Sequence, residues 1–286
     1  MKNIKYFLAQ AVSETFLWPF TNFRRRIEKN RLYDLSMRGL LIAYSLFVLF
    51  FDIVVFINQI IARPSPLAAP DIGIVMTVLA RTCQWMFIAL FAILPIFRLR
   101  PIAKSYGIFP RLLPIAAIVL SPIFLFLERA PPNPAYNSIS VALSLIGGAL
   151  AVVSLTFLGR SFSIMPEARH LVTNGPYKFI RHPVYLFEIV ILFAMFLLYR
   201  SWLAAALFIL LSGIQVGRAL YEEEILSATF SQFLMYRQTT SFMIPRNPLL
   251  FCAFVIKDRV IVFRLTIVMG CAIALLTASI LLAEYI

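Results

Sequence analysis

Seven apolar runs dominate the sequence, and they limit the chain to a fold built from membrane-crossing helices. A helix needs about 20 predominantly apolar residues to cross a bilayer, and lipid offers no partner to an unpaired backbone N–H or C=O group. Mean hydropathy is +0.88, and only 14% of the residues are charged. We therefore predict an all-α fold, a polytopic transmembrane helical bundle with about seven spans. The runs cover residues 38–60, 72–97, 112–127, 138–158, 184–200, 201–217 and 260–283.

The basic residues are distributed unevenly among the loops between these runs. If the amino terminus is inside, 21 of the 26 Lys and Arg residues fall in inside segments, and only Arg63, Arg129 and Arg200 fall in outside loops. This asymmetry follows the positive-inside rule. The formal charge of +13 therefore indicates orientation in a membrane, and we expect membrane lipids as partners, not nucleic acid. The inside segments are residues 1–38, 98–111, 159–182 and 218–259.

Three parts of the chain differ in character. Residues 1–135 carry helices with few polar residues and end in a Pro-rich stretch that is typical of an outside loop. Residues 136–247 hold two polar clusters and form the predicted catalytic core, while residues 248–286 add one more span. Before the first span, apolar residues at helical spacing precede three arginines, which predicts an amino-terminal helix lying in the membrane interface. These apolar residues are Phe7, Val12, Phe16 and Phe20.

Two charged residues, Asp52 and Arg81, interrupt adjacent apolar runs. Counting about 1.5 Å per residue from opposite ends of the two helices puts them at a similar depth. We expect a buried ion pair that fixes helix packing. A proton or ion pathway is the alternative, but such a pathway needs a series of ionisable groups across several helices.

The first polar cluster, residues 171–185, lies between the fourth and fifth runs. Pro183 suits the first turn of a helix, which puts His182 at or near the amino-terminal cap of the fifth span. The free N–H groups at a helix start attract an anion, and Arg181 lies alongside. The alternative is a basic loop that only anchors the helices to lipid phosphates.

The second cluster follows the sixth run and contains Arg218, Glu222, Glu223 and Glu224. Arg218 and Glu222 share a helix face, so an ion pair along the helix is one explanation, although Arg before Glu is the weaker orientation. The fifth and sixth runs must form an antiparallel hairpin, which allows His182 and Glu222 to be neighbours. A carboxylate there could bind a ribose diol while the helix start binds a carboxylate. S-adenosylmethionine has this pattern of an anion, a sulfonium cation and a sugar diol.

These motifs resemble those of a known family, the isoprenylcysteine carboxyl methyltransferases, which belong to a wider group with the phospholipid N-methyltransferases. The motifs are Leu-Val-Thr-Asn-Gly-Pro-Tyr at 171–177, Arg-His-Pro-Val-Tyr at 181–185, and Arg218 with Glu222-Glu223 one hairpin later. Leu-Gly-Arg-Ser-Phe at 158–162 also resembles the segment that precedes them in bacterial members. The resemblance covers about residues 140 to 247.

The resemblance implies that S-adenosylmethionine is the cofactor, and it assigns roles to individual residues. Arg218 would hold the acceptor, and Arg181 would support the catalytic site. The cofactor would contact Leu171, Val172, Tyr177, His182, Pro183, Tyr185, Glu222 and Glu223. Phe187 stands where the family often has Gly, and residues 230–234 depart from the usual Phe-Gly-x-x-Tyr. Both departures bear on the acceptor more than on the cofactor.

The resemblance therefore implies a methyltransferase of the inner membrane of a bacterium, acting on a lipophilic acceptor. An acceptor carboxylate needs no general base at pH 7, so we expect carboxyl O-methylation of an isoprenylcysteine-like or other lipid carboxylate. A phospholipid N-methyltransferase, a sterol-reductase-like enzyme and a non-enzymatic transporter are the alternatives. The chain has no GxGxxG motif, which disfavours a Rossmann-type domain. Its three cysteines have no zinc-site spacing, so we expect no metal.

Overall fold

The computed structural model describes residues 31–61, 72–105 and 107–285, and this part of the chain is built mainly from helices. The predicted interfacial helix before residue 31 lies outside the described residues. The helices are α1 (Arg31–Ile61), α2 (Ile72–Phe97), α3 (Phe109–Leu120), α4 (Pro134–Leu158), α5 (Pro183–Tyr199), α6 (Trp202–Thr229), α7 (Phe233–Thr239), α8 (Pro248–Lys257) and α9 (Arg259–Tyr285). A two-stranded antiparallel sheet joins β1 (Ala103–Lys104) to β2 (Glu167–Ala168).

Four of the described helices are long and apolar enough to cross a membrane, which confirms the prediction of an all-α integral membrane protein. Three further helices are apolar but shorter, and α5 is one of them. At 1.5 Å per residue, the 17 residues of α5 extend about 25 Å. All seven predicted runs are helical, whereas the number that cross the bilayer stays a prediction. The four candidate spans are Arg38–Asn58, Val75–Phe97, Pro134–Ser161, which includes the short turn after α4, and Trp202–Thr229.

Helix α4 lies at the centre of the bundle, where it packs against α2, α5 and α9. Small residues allow close approach of the backbones on two of its sides. A Cβ atom on Gly148 would lie 2.9 Å from Cys83 Cβ of α2, and one on Gly147 would lie 3.1 Å from Ile191 of α5. Ser140 Oγ also donates a 2.7 Å hydrogen bond to the Ala194 carbonyl of α5. The tight packing of α4 on α5 fixes the position of the α5 start.

The predicted ion pair between the first two spans is present. Arg81 Nη1 of α2 donates a 2.7 Å hydrogen bond to Asp52 Oδ1 of α1. Trp85 Nε1, one turn further along α2, donates to the other carboxylate oxygen at 2.7 Å. Both oxygens of the buried Asp52 are therefore hydrogen-bonded, which suits a pair that joins the two helices.

Helices α5 and α6 form the predicted hairpin, with a turn of only two residues. Arg200 adopts a left-handed conformation with φ of 43°, and Ser201 Oγ then caps α6 by accepting from Ala204 N at 3.1 Å. The Arg200 guanidinium also donates to the Pro131 carbonyl and lies 4.6 Å above the Tyr136 ring. The hairpin turn and the Pro-rich loop thus lie at the same end of the bundle, as the predicted topology requires.

The opposite end of the hairpin brings together the start of α5 and the last two turns of α6. The chain before α5 is fixed there by the segment after α7. Arg181 N donates to Ser241 O at 2.9 Å, and His182 N donates to Phe242 O at 3.2 Å. The β1–β2 pair covers the same end. We refer to this end, which contains both polar clusters, as the site end.

Candidate active site

Helix α5 begins at Pro183, as the sequence predicts. His182 is the residue before the first helical turn, and Pro183 is the first residue of the helix. The His182 ring is buried between the rings of Tyr185 and Phe242, with centroids 5.7 and 5.1 Å away. A helix start with a fixed imidazole beside it provides a partial positive charge at one wall of the site.

A tight turn brings Tyr177 under this helix start. Gly175 has a φ of +57°, and a Cβ atom there would lie 2.6 Å from the Phe157 ring, so only glycine fits. The short 3-10 turn Gly175–Lys178 follows and buries Tyr177. Tyr236 of α7 donates a 2.6 Å hydrogen bond to the Tyr177 carbonyl. Burial raises the pKa of both phenols, so both are protonated donors at neutral pH.

The two adjacent acids of α6 have different surroundings. Glu222 is 27% exposed and accepts a 3.1 Å hydrogen bond from Tyr185 Oη, while His182 Nδ1 lies 3.9 Å from the same carboxylate oxygen. Glu223 is buried and accepts a 2.5 Å hydrogen bond from Arg181 Nε. His182 Nε2 lies 3.4 Å from this Glu223 oxygen. Glu222 is therefore available to a ligand, whereas Glu223 holds the loop before α5.

Arg218 lies one helical turn deeper than Glu222. Its Nη1 atom donates a 2.7 Å hydrogen bond to Gln215 Oε1, and its guanidinium lies 4.8 Å above the Tyr185 ring. The same nitrogen is 3.9 Å from Glu188 Oε2 of α5. The simple Arg218–Glu222 ion pair weighed from the sequence is replaced by these contacts, because Tyr185 lies between the two side chains and bonds to Glu222.

A cleft at the site end is enclosed by the loop before α5, the end of α6, and α7. Six of the predicted site residues line it directly: Leu171, Val172, Tyr177, Arg181, His182 and Glu222. Pro183, Tyr185, Glu223 and Arg218 are buried behind them and position or pair with the lining groups. The predicted residues are thus close together in the fold, while their roles remain predictions.

The cleft also contains residues that the sequence reasoning missed. Glu167 accepts a 2.9 Å hydrogen bond from Ser163 Oγ and pairs with Arg169. Both residues are charged and lie in the 159–182 loop, and this position could have indicated that they belong to the site. Leu158 and Ser161 lie in the 158–162 segment that carries part of the family resemblance, whereas Leu226 had no signal, because leucine is frequent throughout the chain. The missed lining residues are Leu158, Ser161, Glu167, Arg169, His170, Leu226, Phe233 and Tyr236.

The arrangement suits a ligand with several different groups. The α5 start favours an anion, Glu222 can accept hydrogen bonds from hydroxyls, and Leu171, Val172 and Leu226 offer an apolar wall. Within the part of the chain that the structure describes, no three His, Cys, Asp or Glu residues are grouped to hold a metal ion. The cleft therefore offers polar and apolar contacts to an organic ligand.

Comparison with known protein families gives a match over the part of the chain that contains the cleft. Residues 136–232 match the family described as phospholipid methyltransferase. No curated protein matches the chain. The matched segment runs from the first turn of α4 to just beyond α6, and so contains the cleft loop, the α5 start and both acids of α6. Residues 136–232 therefore match a family of the superfamily of isoprenylcysteine and phospholipid methyltransferases, and this match, in a chain with four helices apolar enough to cross a membrane, supports a membrane methyltransferase.

Proposed function

We propose that the protein transfers a methyl group from S-adenosylmethionine to a lipophilic acceptor that approaches from the membrane. The observation that carries this proposal is the contact between the two polar clusters at the start of α5. Tyr185 Oη of the first cluster donates to Glu222 of the second at 3.1 Å, beside the buried His182. This constellation opens on a cleft at one end of a membrane hairpin.

Residues of the cleft offer a chemically suitable partner to each part of S-adenosylmethionine. The helix start at His182-Pro183 suits the carboxylate of the amino acid part. Glu222 suits the two ribose hydroxyls, because it is partly exposed and has acceptor capacity beyond its bond from Tyr185. Leu171, Val172 and the aromatic side chains at positions 177 and 233 suit the adenine ring. S-adenosylmethionine supplies a methyl group activated by the sulfonium charge.

In this proposal, the protein acts mainly by aligning the methyl donor with the acceptor. Direct displacement at a methyl carbon requires the acceptor to be in line with the breaking bond, so positioning accounts for much of the rate. Tyr185 holds Glu222 in place, and Glu223 with Arg181 holds the loop that carries His182.

Two acceptor classes are supported by different observations. Arg218 is a buried cation near the membrane side of the cleft and suits a lipid carboxylate, as in isoprenylcysteine carboxyl methylation. The family match is to phospholipid methyltransferases, which favours a phospholipid headgroup. A nicotinamide-dependent reduction of the sterol type is the rival outside methyl transfer.

The proposed function is tested with purified protein, radiolabelled S-adenosylmethionine and an extract of membrane lipids. We expect label in a lipid product that chromatography separates from the free donor. Heat-denatured protein controls for non-enzymatic transfer. Label that stays in the donor, with no binding of S-adenosylhomocysteine to the protein, would contradict the proposal.

A further inference from the structure

Glu188 is a buried carboxylate in an otherwise apolar stretch of α5. Its side chain is only 13% exposed. The Oε2 atom is buried and has no hydrogen-bond partner among the described residues. A carboxylate in such surroundings is costly, and inside a membrane protein an ionisable residue of this kind usually marks a functional site. Glu188 therefore needs an explanation that packing does not supply.

Arg218 faces Glu188 but does not satisfy it. Arg218 Nη1 lies 3.9 Å from Glu188 Oε2, which is beyond hydrogen-bond distance. Arg218 Nε is likewise buried without a hydrogen-bond partner among the described residues. Two neighbouring side chains thus carry an acceptor atom and a donor atom that have no hydrogen-bond partner among the described residues, which suits a third group that both donates and accepts hydrogen bonds.

The pair lies between the cleft and the membrane interior. Glu188 is three residues beyond Tyr185 on α5, and Arg218 is four residues before Glu222 on α6. Because the helices are antiparallel, each step moves about one turn, or 5 Å, away from the site end. The Tyr185 ring separates the two levels, since it contacts Glu222 through its hydroxyl and Arg218 through its face. An acceptor entering from lipid would meet this level before the cleft.

We propose that Glu188 binds the reacting amine of the acceptor and takes its proton, while Arg218 binds a neighbouring anionic group of the same headgroup. This inference rests on the proposed methyl transfer and adds to it the residue that determines acceptor class. A carboxylate acceptor would bring a second negative charge next to Glu188, whereas an ammonium group would neutralise it.

The amine must lose a proton before it can accept the methyl group. An ammonium nitrogen has no free electron pair, so one N–H bond must break and its proton passes to the Glu188 carboxylate. The nitrogen pair then forms the new N–CH₃ bond as the S–CH₃ bond breaks, and the sulfonium becomes a neutral thioether. The product is a methylated ammonium, and the proton on Glu188 is released to water. The ionisable groups that interact electrostatically with Glu188 are Arg218 of α6, Tyr185 of its own helix and Tyr177 of the cleft loop.

The test compares wild-type protein with Glu188→Gln, using Glu224→Gln of the exposed α6 face as the matched control. Gln keeps the size and one acceptor oxygen but takes no proton. The probes are vesicles of phosphatidylethanolamine, and phosphatidylcholine vesicles containing N-acetyl-S-farnesylcysteine as the carboxylate. Labelled lipid is treated with mild alkali, which converts a methyl ester to volatile methanol, whereas an N-methyl label stays on the non-volatile headgroup. Binding of S-adenosylhomocysteine to each variant reports on folding of the site.

We expect alkali-stable label in phosphatidylethanolamine, an at least tenfold lower rate in Glu188→Gln at pH 7 and an unchanged rate in Glu224→Gln. The difference in rate between Glu188→Gln and wild type should be smaller at pH 9.5 than at pH 7. The amine has a pKa near 10, so more of it is already deprotonated at the higher pH. Alkali-labile label in the farnesylcysteine probe with none in phosphatidylethanolamine would overturn the inference and leave methyl transfer intact. An equal rate in Glu188→Gln and wild type would also overturn it. If wild-type protein does not bind S-adenosylhomocysteine, that result would count against the proposed function instead.

Discussion

Arg181 Nε donates a 2.5 Å hydrogen bond to Glu223 Oε1, and this pair connects the loop before α5 to the end of α6. The Arg181 side chain is 7% exposed and that of Glu223 is 8% exposed, so the pair is buried. Arg181 also donates to the carbonyls of Thr240 and Arg237. One side chain thus holds together three segments that surround the cleft.

Arg181→Ala should destabilise the protein strongly, because it leaves Glu223 buried with its principal partner removed. Breaking a buried pair in this way costs about 3–5 kcal/mol. Arg237→Ala is the matched control, since Arg237 lies 3.7 Å from the same carboxylate but is 57% exposed. An exposed pair contributes at most about 1 kcal/mol. Thermal unfolding in detergent measures both, and equal melting temperatures for the two variants would contradict this role of Arg181.

Glu222→Gln should weaken binding of S-adenosylmethionine more than it weakens folding. Hydrogen bonds to a charged group contribute about 1.5–3 kcal/mol each, so affinity should fall at least about tenfold. Glu224→Gln removes a neighbouring acid on the exposed face and should change affinity by less than about 0.5 kcal/mol. Titration calorimetry measures both variants. An unchanged affinity in Glu222→Gln would remove the ribose-binding role from this residue.

Arg218→Lys should lower turnover while leaving cofactor affinity unchanged. Guanidinium is planar and offers several fixed donors, and an ammonium on a flexible stem does not reproduce this geometry. Arg218 uses the geometry to bond to Gln215 while its face lies on Tyr185. Misalignment of the acceptor can cost about 10²-fold in rate. If Arg218 only stabilised the helix, the lysine variant would turn over at the wild-type rate. Turnover and cofactor affinity should therefore be measured in the same preparation.

The sequence was sufficient to predict the helices and the location of the candidate site. Runs of apolar residues must become helices in lipid, and the Pro183 signal predicted where α5 begins. The hairpin allowed His182 and Glu222 to be neighbours, and the structure puts Nδ1 and Oε2 3.9 Å apart. These features depend on local rules that a sequence expresses directly.

Side-chain partners were harder to predict, because they depend on packing between segments distant in the sequence. Glu222 and Glu223 are neighbours in the sequence, and nothing local indicates that Tyr185 binds one while Arg181 binds the other. Glu188 was missed for a related reason. Glu188 is the only charged residue between Pro183 and Tyr199, so its own helix offers it no charged partner, and only the structure reveals its proximity to Arg218.

The site end should be cytoplasmic, since 21 basic residues fall on that side and three on the other. Lys178 is exposed at the site end, and Pro132 is exposed in the opposite loop. In a background without the native cysteines, Lys178→Cys should react with a membrane-impermeant reagent only after the cells are opened. Pro132→Cys should react in intact cells. The reverse pattern would invert the proposed orientation.

The most direct test of the central claim is binding of S-adenosylhomocysteine to the purified protein, measured by titration calorimetry beside a reduced nicotinamide dinucleotide. We predict a single site for S-adenosylhomocysteine, with affinity weakened by Glu222→Gln and not by Glu224→Gln, and no binding of the dinucleotide. Binding of the dinucleotide without binding of S-adenosylhomocysteine would contradict it.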